Sequence, residues 1–287
     1  MSKSITTTFE CEGCTLVGLF EEADAGSSRA VIVVVGGPQY RVGSHRQFTL
    51  LSRALAEAGV NTMRFDHRGI GDSAGETTFE DLGPDIAAAI DACFARYPDL
   101  REVVLWGLCD AASAIMMYAH GDPRVAGLIV LNPWVRSDRT LAQSYLSAYY
   151  LKRLTQVDFW RQLFSGRVAV GKSLLEFWRN LRLAKSANDP PDAPVADEKR
   201  KPAEQAFQSR MMDGLSKFPG NTLVLLSGKD LTANEFKIFV DADRKRRRLM
   251  KRDNIRIVDY PEADHTFSTA QWRRQVSERT IDWIGSW

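Results

Sequence analysis

The chain has 287 residues, 44% of them hydrophobic and 26% charged, and its 38 Lys and Arg against 36 Asp and Glu leave a formal net charge of +2. That length allows one large domain or two small ones with a substantial core, and the balance is that of an ordinary globular chain. It excludes collagen, coiled-coil, repeat-array and disordered architectures, and the near-neutral charge argues against nucleic acid as a main partner.

Four cysteines, Cys11, Cys14, Cys93 and Cys109, are too few and too scattered for a disulfide scaffold. The longest β-branched-rich apolar stretch, AVIVVV at 30–35, is far too short to span a bilayer. The first residues, MSKSITTTFECEG, hold no apolar signal-peptide core. A cytoplasmic protein with no transmembrane segment is expected.

In chain order, ITTTFECEGCTLVGLF reads as two short strands with a turn at Glu12-Gly13. AVIVVV follows as a strand buried on both faces, ended by Gly36-Gly37-Pro38. Residues 44–58 place Phe48, Leu51, Leu55 and Ala58 at helical spacing, with Gly59 as the cap. NTMRFD (61–66) is the next strand, RGIGDSAGE a glycine-rich loop, and 79–95 a helix. VVLWG (103–107) is a strand, Cys109 to about His120 a helix, and AGLIVLNPW (126–134) another strand. This alternation predicts right-handed crossovers and an α/β fold: a mostly parallel central sheet with helices on both faces.

The alternation stops near Val135. From there to about Lys185 the sequence reads as aromatic-rich helices, with Tyr145, Tyr149, Phe159, Trp160, Phe177 and Trp178 among their residues. Residues 186–204 are rich in Pro, Ala and charge and read as an exposed, mobile loop. The pattern resumes with NTLVLLSGKD (221–230), a polar helix at about 232–250, the strand NIRIVDY (254–260) and a last helix at 269–286. The expected organisation is a core of 1–134 and 220–287 interrupted by a helical cap insertion at 135–219.

The sharpest chemical signal is LWGLCDAASA, which reads strand, tight turn, helix with Cys109 at the bend. This is the spacing of a nucleophile elbow with cysteine in the nucleophile's place. The turn demands small residues two before and two after, and Gly107 and Ala111 supply them, although Ala111 stands where a second glycine is usual. The following helix directs its N–H groups and positive dipole end at Cys109, a field that activates the sulfur. The competing reading is a small buried cysteine at a strand–helix junction.

A nucleophile needs a base, and the histidines are His45, His67, His120 and His265. His265 follows the last strand, where α/β proteins collect active-site groups, and it alone gives the chain order nucleophile, acid, base. His120 reads as a capping or surface residue, while His67 and His45 fall near enough to line a pocket. Asp230, directly after the next-to-last strand, is the expected orienting acid. Asp264 is its rival, but an immediate neighbour of the histidine does not ordinarily reach its ring Nδ1. For a developing oxyanion, the Asp110 N–H is the first expected donor. The second comes from Val35-Gly36-Gly37-Pro38-Gln39, with Gly37 favoured and Gln39 the alternative, since Pro38 cannot donate.

Three other patterns read as structural. FDHRGIGDS lacks the spacing and the Lys-Ser/Thr of a phosphate loop, so Asp66 and Arg68 are expected to organise a turn. Cys11 and Cys14 lack the second pair that a zinc site needs. The basic run Arg244 to Arg248 with Lys251 and Arg252 reads as a solvated helix face, the alternative being peripheral contact with anionic lipid or an acidic partner.

Gly36-Gly37, FDHRGIGDS, GLCDA, SGKD and ADHTF, in that order, resemble the α/β-hydrolase superfamily over nearly the whole chain. More narrowly, GGPQYRVGSHRQF, RFDHRGIGDS and WGLCDAASA resemble the exosortase A system-associated hydrolase type 1 family. That family is similar to serine aminopeptidase-like hydrolases but carries cysteine at the elbow, and is linked to exopolysaccharide production and PEP-CTERM sorting. The resemblance implies a Cys109–Asp230–His265 triad and no metal or organic cofactor. Dienelactone hydrolases look similar at the elbow but lack such an aromatic insertion. The expected reaction is hydrolysis of an ester or thioester through a covalent acyl-enzyme. The aromatics of 135–219 suggest an apolar small-molecule acyl substrate, or else pack the cap's own core. An acyltransferase with the same triad and a non-catalytic binding protein on this fold are the competing functions.

Overall fold

The computed structural model describes residues 3–24, 27–136 and 206–287. Within them the chain forms β1 (Lys3–Cys11), β2 (Cys14–Glu22), β3 (Arg29–Val34), α1 (Gln47–Glu57), β4 (Asn61–Asp66), α2 (Gly83–Arg96), β5 (Glu102–Leu108), α3 (Asp110–Tyr118) and β6 (Val125–Leu131). After residue 205 come α4 (Phe207–Lys217), β7 (Asn221–Ser227), α5 (Leu231–Asp241), α6 (Arg244–Leu249), β8 (Ile255–Tyr260) and α7 (Ala270–Ile284).

The strands make one eight-stranded sheet in the order β1-β2-β4-β3-β5-β6-β7-β8. β3 to β8 run parallel, while β2 pairs antiparallel with both β1 and β4. The strand period of two divides the core cleanly. Ala30, Ile32 and Val34 of β3 join Val103 and Leu105 of β5 and Leu128 and Val130 of β6 on the face covered by α2, α3 and α4. Val31, Val33, Val104, Trp106, Ile129 and Leu131 point the other way, onto α1 and α7. Val31 to Val34 are wholly buried, each contributing roughly 1.5–3 kcal/mol through lost apolar exposure. Burial on both faces explains why these strands read as continuous apolar runs.

Of the boundaries that differ from the sequence expectation, two have an identifiable local cause. The helix expected at 232–250 is two helices, because the Asp243 carboxylate accepts the Arg246 N–H at 2.9 Å and starts α6 afresh. The strand expected to reach Trp134 ends at Leu131, because Asn132 turns with φ 44°. Of the expected cap, 137–205 lies outside the described residues, and with it the mobile loop at 186–204 and the aromatics from Tyr145 to Trp178. Its expected last part, α4, packs on α3 so closely that a Cβ at Gly214 would stand 2.4 Å from the Met116 carbonyl oxygen. No helix among the described residues is long and apolar enough to cross a membrane.

One buried charge pair ties β2 to β4. Glu21 is wholly buried and receives Arg64 Nη2 at 3.0 Å and Ser4 Oγ at 2.6 Å. Removing Arg64 leaves the buried Glu21 carboxylate with only the half-exposed Arg53 guanidinium, at 3.8 Å, as a cation partner. Arg64→Met is therefore expected to cost about 3–5 kcal/mol in a urea unfolding titration; a loss below 1 kcal/mol would show that water replaces the guanidinium.

Candidate active site

Cys109 stands between β5 and α3 with φ 64° and ψ −125°, in a region that L side chains rarely adopt. Its backbone is held from both sides: its N–H donates to the Leu131 carbonyl at 2.9 Å, and its carbonyl accepts the Trp134 N–H at 3.2 Å. The turn is as tight as the sequence implied. A Cβ at Gly107 would lie 2.8 Å from the Ala111 carbonyl carbon, so glycine is required there. The side chain of Cys109 is partly exposed.

The residues expected as acid and base, Asp230 and His265, follow the carboxyl ends of β7 and β8. His265 Nδ1 lies 2.9 Å from Asp230 Oδ2 across 35 positions of sequence. The Asp230 side chain is 6% exposed and also caps α5, accepting the Thr232 and Ala233 N–H groups at 3.1 Å each. Three donors on one carboxylate leave it little freedom to rotate. With Nδ1 engaged by Asp230, Nε2 is left free, and Cys109 is close enough to act on the ring's protonation. Burial of the ring opposes protonation, but Asp230 and Cys109 outweigh it, and the His265 pKa is pushed up to about 10. Asp264 does not orient the imidazole. Its carboxylate accepts the Ser268 N–H at 2.9 Å and the Ser268 hydroxyl.

A polar brace that sequence reasoning missed holds these loops. Asn132 Nδ2 donates to Ser227 Oγ at 3.0 Å and to the His265 carbonyl at 3.0 Å, while its Oδ1 accepts the Ser227 N–H at 2.9 Å. Ser227 Oγ in turn donates to the Asp264 carbonyl at 2.8 Å. One buried amide thus connects the elbow-side strand β6, the acid loop and the histidine loop. The only sequence signal was a polar residue directly after the LIVL run, which reads as an ordinary strand end.

The expected oxyanion donors fall differently from one another. The Asp110 N–H begins α3 and has no acceptor within the helix. Gly37 departs from the expectation: its N–H donates to Asp110 Oδ2 at 2.9 Å. The cause is the bare Cα of Gly36, where a Cβ would stand 2.1 Å from Asp110 Oδ1, so the carboxylate reaches across to the β3 loop. The other Asp110 oxygen accepts the Ala111 N–H at 2.9 Å. The Gln39 N–H meets no acceptor among the described residues, and the Gln39 Oε1 accepts the Ser44 N–H and Gln47 Nε2 at 3.2 Å each.

The remaining singled-out residues are structural. Asp66 accepts the Arg41 N–H at 2.6 Å, the Arg41 guanidinium and the Asp72 N–H at 3.2 Å. Arg68 is clasped by the buried Asp85, with Nη2 at 2.8 Å from Oδ2, and His67 Nδ1 lies 2.9 Å from the Arg68 carbonyl. Burial opposes ionisation of Asp264, but hydrogen bonds from Ser268 hold it below the usual carboxylate range, nearby His45 adding least, and His120 is exposed just past α3. Cys11 and Cys14 face each other as free thiols across the β1–β2 hairpin, and burial pushes the Cys11 thiol up to about 11. Among the described residues no cluster of three His, Cys, Asp or Glu could hold a metal ion.

A sequence profile for the family described as serine aminopeptidase, S33, matches residues 26–199. The fold is similar to the Pyrococcus furiosus esterase Pf2001, with a TM-score of 0.65 at 14% identity, over 100% of this chain and 93% of that one. It is also similar to Est1E from Butyrivibrio proteoclasticus in a structure with ferulic acid bound (TM-score 0.60, 16% identity, 97% of each chain). A serine hydrolase homologue from Coxiella burnetii gives 0.58 at 15% identity, over 97% of this chain and 96% of that one. A stretch of 88 residues is 31% identical to human protein ABHD12B, covering 31% of this chain and 24% of that protein, so the match spans about a quarter of the relative's length. Together they establish the α/β-hydrolase fold. The matched profile ends before Asp230 and His265.

The raised pKa of His265 is testable directly. Its folded value lies above the unfolded one of about 6.5. The stability it contributes is therefore whole below that value and is lost as the pH rises through about 10. Asp230→Asn is expected to move the His265 midpoint, followed by the ring proton resonance in NMR, down toward the unfolded value and to flatten this loss. An unmoved midpoint would remove Asp230 as the cause.

Proposed function

Since the chain belongs to the serine aminopeptidase S33 family of α/β-hydrolases, we propose that it is a hydrolase that cleaves an ester or thioester through an acyl-enzyme on Cys109. The reading is carried by one observation: Asp230 and His265 converge at 2.9 Å beside a cysteine on a left-handed turn. The family description names serine, and this chain has sulfur at the bend. In this proposal His265, whose raised pKa favours its protonated form, holds the proton that Sγ gives up before attack.

The steps follow from that charge distribution. Sγ adds to the carbonyl carbon, and the carbonyl pair moves onto oxygen. The oxyanion is met by the N–H groups of Asp110 and Gln39, because Asp110 holds back the Gly37 donor. Collapse breaks the bond to the leaving alcohol or thiol, which takes the His265 proton. The neutral imidazole then draws a proton from water as that oxygen attacks the acyl-enzyme. Collapse of the second intermediate frees the carboxylic acid and returns Sγ. Asp230 steadies the imidazolium throughout. Neither a metal nor an organic cofactor takes part.

An apolar acyl group is the substrate class suggested by the aromatic-rich sequence of 135–219. A role beside exopolysaccharide production or PEP-CTERM sorting rests on the sequence resemblance of 36–48, 64–73 and 106–114.

A panel of p-nitrophenyl esters and acyl thioesters tests the reaction. Cys109→Ala is expected to lose about 10³-fold or more in kcat/KM; full activity in that variant would end the mechanism. Cys109→Ser is expected to retain a fraction that rises with pH, since an imidazolium must lose its proton before it can activate a hydroxyl. Gly36→Ala displaces the β3 loop, and the Gln39 N–H with it, and should lower kcat by roughly 10²–10³-fold, the scale of losing one oxyanion donor, with KM little changed. An equal rise in KM would instead assign the loop to substrate binding.

A further inference from the structure

Away from Cys109, α4 and residues 244–252 enclose a concavity of about 1050 Å³ whose lining includes none of the three proposed catalytic residues. We propose that this cleft binds a compact phosphorylated anion carrying at least two negative charges. The proposal does not depend on the reaction assigned to Cys109.

Seven of the 38 basic residues fall in the nine positions 244–252, with no acid among them. The rest of the chain then holds 31 basic against 36 acidic residues, a net −5. Some of the seven are used internally. Arg246 lies 3.8 Å over the Phe239 ring and donates to the Phe239 carbonyl at 2.5 Å. Arg247 donates to the Asp241 carbonyl, and Arg252 reaches the Ser216 carbonyl at 2.6 Å, tying the segment to α4. Arg244, Lys245, Arg248 and Lys251 are exposed and line the cleft, and none makes an ion pair among the described residues. The one acid in the lining, Asp213, is engaged by Lys217 at 2.6 Å.

This arrangement breaks two local rules. Arg244 and Lys245 occupy the first turn of α6, where the helix dipole disfavours cations, and Arg244 and Arg248 are like charges four residues apart. Asp243 at the cap offsets part of this charge, beside Lys245 and Arg246, but Arg244, Arg248 and Lys251 make no ion pair among the described residues, and an external anion is the partner they lack. Phosphate fits the donors, because guanidinium forks pair its oxygens two at a time. Four unpaired cations ask for more than one charge. The cleft is concave, and Met212 and Leu249 contribute apolar wall beside the cations, which suits a small ligand or a headgroup. The net −5 elsewhere repels an extended polyanion and favours a compact one.

Calorimetric titration of the full chain with sodium pyrophosphate supplies the test, run beside flotation with phosphatidylglycerol and phosphatidylcholine vesicles. We expect saturable binding of one equivalent of pyrophosphate, weakened by salt and by roughly 100-fold in the double variant Arg244→Gln, Arg248→Gln. Binding confined to phosphatidylglycerol vesicles, and lost in that variant, also supports the site and assigns its phosphates to a lipid surface. Failure to bind either, or equal binding by wild type and variant, overturns the proposal. Alkylation of Cys109 and thermal melting should be the same in both proteins. They separate loss of this cleft from damage to the fold or to the proposed active site.

Discussion

The proposed active site passes through one backbone angle. Cys109 holds φ near 64° without being glycine, a conformation that costs on the order of 1–3 kcal/mol and persists only where the surroundings impose it. Those surroundings are identifiable. Leu131 and Trp134 fix the residue's N–H and carbonyl, Gly107 lets α3 start directly beneath the turn, and Gly36 allows the β3 loop to close against Asp110. The bend lifts the sulfur to the carboxyl edge of the sheet, into the space where Asp230 and His265 arrive from two later strands.

Placing the acid and the base is a separate problem, because their loops are joined by no shared element. Here the answer is a small polar cluster in the crevice between strands. Asn132 grips Ser227 and the His265 backbone, and Ser227 grips Asp264. Gly228 brings the acid loop against Pro261, where a Cβ would meet the carbonyl oxygen at 2.1 Å. The orientation of the imidazole is thus secured at its ring by Asp230 and at its backbone by Asn132.

Much of this was legible in the amino-acid order, and the reasons are physical. Strands buried on both faces leave uninterrupted β-branched runs, so β3, β5 and β6 could be placed within a residue or three. The small–Cys–small spacing at 107–111 is dictated by steric exclusion, which acts locally and marks the sequence. Asp230 and His265 could be proposed because each follows a strand in the order the fold demands, and they meet at 2.9 Å. Other features are not local. Whether the Gly37 N–H is free depends on how far the Asp110 carboxylate reaches across a gap between β3 and β5. The brace at Asn132 joins three segments that lie far apart in the chain. The break between α5 and α6 was a near miss, since Asp243 followed by a basic turn carries a capping signal inside an otherwise continuous helical pattern.

The left-handed turn also sets evolution and folding against each other at a single codon. Glycine at position 109 would adopt that angle without penalty. A lineage freed from the need for the sulfur would therefore gain robustness by discarding it. Retaining cysteine there sacrifices durability for reactivity, and a descendant that had drifted into inert service should betray itself by a hardier fold.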